Sequence, residues 1–567
     1  MFPSLPTDPG ILTNCGWSDF EPYYTDLIDR NLTADTASEF LADWTALSEA
    51  IDEAFTRLSV AITVNTADEE AERRYHTYLD TIYPPSEEAD QKLKEKLLTS
   101  GIEPSGFHMP LQKMRWQSEI FREENLPLMT EEHKASTRYD KIVGSQTVNW
   151  EGKEITVTQL RPVMQNPDRN LREKAWRVGL ERQLADREQI GVLWREFMAL
   201  RQKMAKNAGF SDYRSFRWKQ LLRFDYTPAD CVRFQNAIEK IAVPAAARIY
   251  ERRRKLLGLN TLRPWDLDVD PFGKPPLKPF QDVSELVTGV YEIFRRLDST
   301  LGIHFRIMAD EGLLDLENRK NKAPGGYCTE FPAARRPFIF MNAVGLHDDV
   351  QTLLHESGHA FHAFERDRLP YYQQRQVGME FSEVASMGME LLASPYLAIR
   401  EGGFYSEADA ARARIEHLEK SIVFWPYMAS VDAFQHWVYE NPEQAVDPGQ
   451  CDLQWKRIYE RFTPWLDWSG LDQALLTGWQ RKLHIHVVPF YYVEYGLAQL
   501  GAVQIWKNSL SDRATAVAAY RHALSLGGTV PLPELFSGAG AKFAFDEETL
   551  NSAISLMERV AGELSGT

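Results

Sequence analysis

The chain is predicted to be mostly α-helical, with a small β-sheet set beside one amphipathic helix near residue 355. Three observations lead there: capped runs of helical periodicity dominate the chain, strand-like stretches are few and short, and the segment after Asp348-Asp349 carries its polar chemistry on one helical face.

In chain order, residues from about Asp35 to Leu79 and from Glu87 to Leu98 read as helices punctuated by Pro84-Pro85. A hairpin is expected from Thr147-Val148-Asn149-Trp150 and Ile155-Thr156-Val157-Thr158 around Glu151-Gly152-Lys153. Asn166-Pro167-Asp168 is a helix-start signal for a long run toward Asn207, ended at Gly209. The stretch from Arg263 to Pro279, rich in proline and aspartate, reads as a loop. Pro337 to Asn342 reads as a short strand preceded by the Gly325-Gly326 turn. The stretches Gly527-Gly528 and Gly538-Ala539-Gly540 leave two readings open, a mobile loop near a cleft or a turn between terminal helices.

The chemistry is concentrated at His355-Glu356-Ser357-Gly358-His359, an HExxH motif. On a helix its two histidines fall one turn apart on one face, which makes half a zinc site with a general base attached. Val350, Leu353, Leu354, Ser357, Phe361 and Phe364 gather within roughly 50° of one direction and form a buried stripe, leaving His355 and His359 on the other side. Asp348-Asp349 supplies an N-cap candidate and first-turn acid. Gly358 inside the helix costs about 1 kcal/mol relative to alanine, so a close backbone or substrate approach is expected there.

Catalytic zinc takes three protein ligands and keeps one position open. The stretch from Gly378 to Glu390 reads as a second helix carrying Glu380, Glu383 and Glu390, and spacing alone does not choose between Glu380 and Glu383 as the third ligand. Glu390, seven residues past Glu383, is placed to hold a ligand imidazole by its free N–H.

HESGHAFH followed by FSEVASMGME resembles the zinc oligopeptidases of the thimet oligopeptidase and oligoendopeptidase F family, nearest to its Pz-peptidase-like bacterial branch. The resemblance runs from about Asn166 to the C-terminus and places the third ligand on Glu383, giving one zinc per chain held by His355, His359 and Glu383. It implies two helical lobes around a deep channel, with residues 1–165 as an N-terminal helical region and 166–567 as the catalytic region. His362 has a counterpart in the family that is not a ligand, so a supporting or structural role is implied. A third block, His484 to Gly496, is similar to the family's histidine and tyrosine-rich helix, which implies that His484, Tyr495 and either Tyr491 or Tyr492 stabilise the oxyanion. Pro489 suits the first turn of that helix, and His486 reads as structural. The family binds the peptide backbone along an edge strand beside the zinc helix, which implies Gly325, Gly326 and Phe340 as substrate contacts.

Composition agrees with an enzyme of this kind: 44% hydrophobic and 26% charged residues support a large core. A net charge of −17 argues against nucleic acid as the partner. Four scattered cysteines, Cys15, Cys231, Cys328 and Cys451, show no metal or disulfide spacing and suit a reducing cytoplasm. The N-terminal segment lacks an export pattern and no stretch is apolar enough to span a membrane, so a cytoplasmic location is expected.

The expected activity is endo-hydrolysis of short unstructured oligopeptides, with Glu356 taking the proton of a zinc-activated water and returning it to the leaving amine. Two alternatives stand beside it: a carboxydipeptidase of related fold, and a non-catalytic peptide-binding zinc protein, against which the retained Glu356 speaks.

Overall fold

A computed structural model describes residues 5–566, so part of the N-terminal segment read for an export signal, Met1 to Ser4, lies outside the described residues. Helices occupy most of the chain, joined by a two-stranded hairpin and a three-stranded sheet.

The N-terminal helices have a core of their own. Phe40, Leu41, Trp44 and Leu47 of the helix Ala37–Val64 pack with Tyr78, Leu79, Leu93 and Leu97. Pro84 and Pro85 lie in the first turn of the helix Tyr83–Ser100, where a missing N–H costs nothing, so they start this helix rather than merely separate two. The hairpin pairs β1 (Thr147–Trp150) with β2 (Lys153–Thr156). Its loop is the two residues Glu151 and Gly152, both with positive φ as a type I′ turn requires, so the second strand begins two residues earlier than expected. Asp168 caps the helix Arg169–Ala185 as its sequence signalled, but the run toward Asn207 breaks at Asp186 into a second helix, Arg187–Asn207.

The larger core surrounds three helices that carry the chemistry: His347–Arg366, Met379–Ala393 and Tyr492–Ser511. The first packs on the second, and the second packs on the third. Val350, Leu353, Leu354, Ser357 and Phe361 of the first helix are fully buried, as the apolar stripe requires. The N-cap is Leu346 rather than an aspartate; Asp349, at the third helical position, accepts the backbone N–H groups of Leu346 and Val344, both at 2.8 Å. Gly358 allows the close approach. A Cβ there would lie 2.5 Å from the Ala385 carbonyl oxygen and 2.5 Å from the Ser386 Cα, so the second helix can sit against the HExxH turn only because residue 358 has no side chain.

The sheet lies beside the HExxH helix in the order β3 (Leu314–Glu317), β5 (Arg336–Ala343), β4 (Tyr327–Phe331), with β3 and β5 parallel and β4 and β5 antiparallel. This corrects one expectation. The strand containing Phe340 is central rather than an edge, paired on both sides, and Phe340 is fully buried beneath the Tyr327 ring at 4.7 Å. The edges are β3 and β4, and β4 is the one whose residues line the catalytic cavity.

Candidate active site

The His355 and His359 rings stand side by side, their centroids 5.1 Å apart. Glu383 rises from the neighbouring helix so that its Oε2 lies 3.2 Å from His355 Nε2 and 3.5 Å from His359 Nε2. Two donors about 2.1 Å from a tetrahedral zinc lie roughly 3.4 Å from each other, so these separations fit a shared ion. His355 and Glu383 are each oriented by neighbours in the sense such a site needs. His355 Nδ1 meets Glu390 Oε1 at 2.7 Å, which leaves Nε2 for a metal, and His417 backs Glu390 at 3.6 Å. The other carboxylate oxygen of Glu383 accepts the Tyr491 hydroxyl at 2.5 Å, and Ser386 Oγ donates to Oε2 at 2.9 Å. The carboxyl of Glu383 is held well below the usual range: burial raises it, but His359 and His355 outweigh that. Two imidazoles and one carboxylate are a donor set suited to catalytic zinc.

Glu356 is buried, accepts no hydrogen bond among the described residues, and is raised from its ordinary carboxylate range chiefly by desolvation. One of its oxygens sits over Gly326, where a Cβ would come within 3.4 Å of it. Glu356, His355, His359 and Glu383 line a cavity of 370 Å³ together with Gly326, residues of β4, Tyr491 and Tyr495.

The backbone ahead of the tyrosine-bearing helix separates the tyrosines. Phe490 adopts φ +66, rare for a non-glycine residue. Its N–H donates to Gln435 at 2.6 Å and its carbonyl accepts Arg223 at 2.6 Å. This held turn, not a helical first turn at Pro489, precedes the helix Tyr492–Ser511. As a result Tyr491 and Tyr495 reach the cavity, whereas Tyr492 is buried on the far side against Phe424, Tyr427 and the Lys482 ammonium. The Tyr492 alternative for an oxyanion contact is therefore not supported. His484 is not part of the wall; it stands behind Tyr495, with Nε2 3.2 Å from the hydroxyl oxygen. Burial and Lys482 push its imidazole down to about 3, so it is neutral. Its Nδ1 is buried without a partner, which suits a lone pair better than an N–H and places the proton on Nε2, donating to Tyr495.

Gly325 makes the turn into β4 with φ +91, and its carbonyl accepts Asn342 at 2.9 Å; Gly326 is the one of the pair in the cavity wall. His362 also lines the cavity, with Nε2 unpartnered and the ring against Phe381. His486 is enclosed by Tyr139, Trp194 and Trp479, in keeping with a structural role. Sequence reasoning did not find Ser386, His417 or Arg366. Ser386 lies one turn past Glu383 and was legible as its neighbour; His417 and Arg366 gave no sign, because their roles depend on elements brought together by the fold.

Residues 163–554 match the model of peptidase family M3, and residues 14–105 match that of the peptidase M3 N-terminal domain. The chain belongs to peptidase family M3. Among solved structures, that of PZ peptidase A with an inhibitor is similar to this M3 chain with a TM-score of 0.92 and 26% identity, covering 100% of this chain and 99% of that one. An oligoendopeptidase F homolog of Mycoplasma pneumoniae is 23% identical over 68% of this chain, and one of Borreliella burgdorferi 24% identical over 56%. The match spans 64% and 54% of those two relatives' own lengths. Among the described residues of this M3 chain, no helix is long and apolar enough to cross a membrane.

A second cluster, Cys231, Asp432 and His436, also brings three donor atoms together. It is fully buried, and Arg214 Nη1 lies 3.3 Å from His436 Nδ1. A guanidinium only donates, so the imidazole proton sits on Nε2 facing Asp432, the tautomer that keeps Nε2 from a metal.

Proposed function

We propose that the chain is a zinc-dependent endopeptidase acting on short, unstructured oligopeptides. The observation that carries this reading is the convergence of the His355, His359 and Glu383 donor atoms beside the unpaired carboxylate of Glu356, on a cavity bounded by an open strand edge. A zinc ion held by His355, His359 and Glu383 would supply Lewis acidity and bring a water within reach of deprotonation near neutral pH.

The remaining work falls to the protein's own groups. An extended peptide adds to the free edge of β4, Tyr327–Phe331, through main-chain hydrogen bonds that do not select side chains. Glu356, raised by desolvation, takes the proton from the attacking water and hands it to the leaving amine. Tyr495, whose oxygen accepts the His484 N–H and so keeps its own O–H free, donates to the developing oxyanion. Tyr491 orients Glu383. A cavity of 370 Å³ suits a peptide segment and is too small for a folded protein.

Arg366, a cationic side chain in that wall, is ion-paired with Glu330, so it is poorly suited to clamp a substrate carboxylate. That favours endo-cleavage over removal of C-terminal dipeptides. The test uses internally quenched peptides of graded length, free or amidated at the C-terminus, with zinc-loaded and chelated protein and with Glu356→Gln. Internal cleavage indifferent to amidation is expected, with Glu356→Gln binding zinc normally and losing about 10²–10⁴-fold in kcat. Equal turnover by the substituted protein would overturn the mechanism; loss of cleavage on amidation would favour the carboxydipeptidase.

A further inference from the structure

The catalytic cavity continues into a second one of 460 Å³, and Asp52, Tyr372, Gln376, Val377 and Met379 line both. One side of this inner chamber comes from the N-terminal helices Ala37–Val64 and Tyr83–Ser100, the other from residues of the catalytic core and from Gly528. Gly528, in the first of the two late glycine stretches, lies at the chamber, where its N–H donates to the Gln374 carbonyl at 2.6 Å.

The chamber's charges do not balance. Lys94 is taken up by Asp90 at 2.8 Å, and Lys113 donates to the carbonyls of Gln376 and Gly528 rather than to a carboxylate. Glu380 and Glu494 share the single guanidinium of Arg223, and Glu494, 1% exposed, is left with an Oε2 that has no partner. Asp52 is met by the Tyr372 hydroxyl, while Glu87 makes no hydrogen bond or ion pair among the described residues. Burial pushes Asp52 up to about 7, and the neighbouring carboxylates Glu87, Asp90 and Glu330 add to the shift against Lys94.

Resting on the peptidase reading above, we propose that this chamber is a subsite for a cationic group of the peptide, an ammonium or guanidinium, received by Asp52 and Glu87. Such a group relieves the repulsion among the carboxylates, whereas a neutral or anionic end leaves it in place. The cation has two sources, a free α-amino terminus or a lysine or arginine side chain, and both reach the chamber from a peptide lying in the catalytic cavity.

The test measures binding rather than turnover. Zinc-loaded Glu356→Gln protein is titrated with fluorescent peptides in matched pairs: arginine against citrulline, lysine against norleucine, and free against acetylated N-terminus. The expected result is about tenfold tighter binding for the cationic member of at least one pair, reduced by added salt and lost when Glu87→Gln and Asp52→Asn are added. Which pair responds identifies the source. Less than twofold discrimination within every pair overturns the proposal, as does discrimination that survives in the Asp52 and Glu87 variants. The comparison of pairs on otherwise unsubstituted walls holds even if those variants fold poorly. Absence of cleavage by the unsubstituted chain would count against the peptidase reading while leaving this binding result standing.

Discussion

The Nδ1 atom of His355 lies 2.7 Å from Oε1 of Glu390, a residue one helix away and 35 positions on in sequence. That contact fixes which ring nitrogen faces Glu383. Replacing Glu390 with alanine is expected to weaken zinc binding about 10–100-fold, since a ligand imidazole loses its orienting acceptor. Competition with a chromophoric chelator measures it; unchanged affinity would remove Glu390 from the site.

Gly358 meets the Ala385 carbonyl where a methyl group would need to be. Alanine gains about 1 kcal/mol of helix propensity, but overpacking against backbone costs about 1–3 kcal/mol or more and moves the Glu383 helix away. Gly358→Ala should therefore lower both the melting temperature and zinc occupancy, read by calorimetry and metal analysis on the same sample. A gain in both would show that the helices can separate without cost.

Tyr495 and Tyr492 should divide by position. Tyr495→Phe is expected to lower kcat by about 10²–10³-fold with little change in KM, whereas Tyr492→Phe, buried behind the wall, should leave kcat within about twofold. Steady-state kinetics on one quenched peptide, with melting curves as the control, distinguishes them.

His347 opens the HExxH helix fully buried, accepting or donating to Tyr405 at 2.8 Å, and desolvation pushes its imidazole down to about 4. The unfolded value is about 6.5. A depressed imidazole means that the unfolded chain binds the extra proton first, so its contribution is present above pH 6.5 and lost as pH falls toward about 4. The loss is on the order of a few kcal/mol. His347→Gln should flatten the dependence of melting temperature on pH within that window relative to the unsubstituted chain. Parallel curves would mean that His347 does not titrate there.

What the sequence determined is local and periodic. A 3.6-residue repeat puts His355 and His359 on one face whatever surrounds them, and the buried stripe opposite says which face meets the core. Even Gly358 was legible as a close approach, though not what approached. Tertiary structure decided everything that depends on two elements meeting. Strand alternation gave no hint that the Phe340 strand would be paired on both sides, because an edge is defined by an absent neighbour. Helical spacing treated Tyr491, Tyr492 and Tyr495 as near equals; the left-handed turn at Phe490, held by Gln435 from a distant helix and Arg223 from a distant loop, chose two of them. The acidic chamber was equally hidden, since Asp52 and Glu87 become neighbours of the catalytic cavity only when the N-terminal helices close over it. Periodicity fixes a face of one element, and only packing fixes what that face sees.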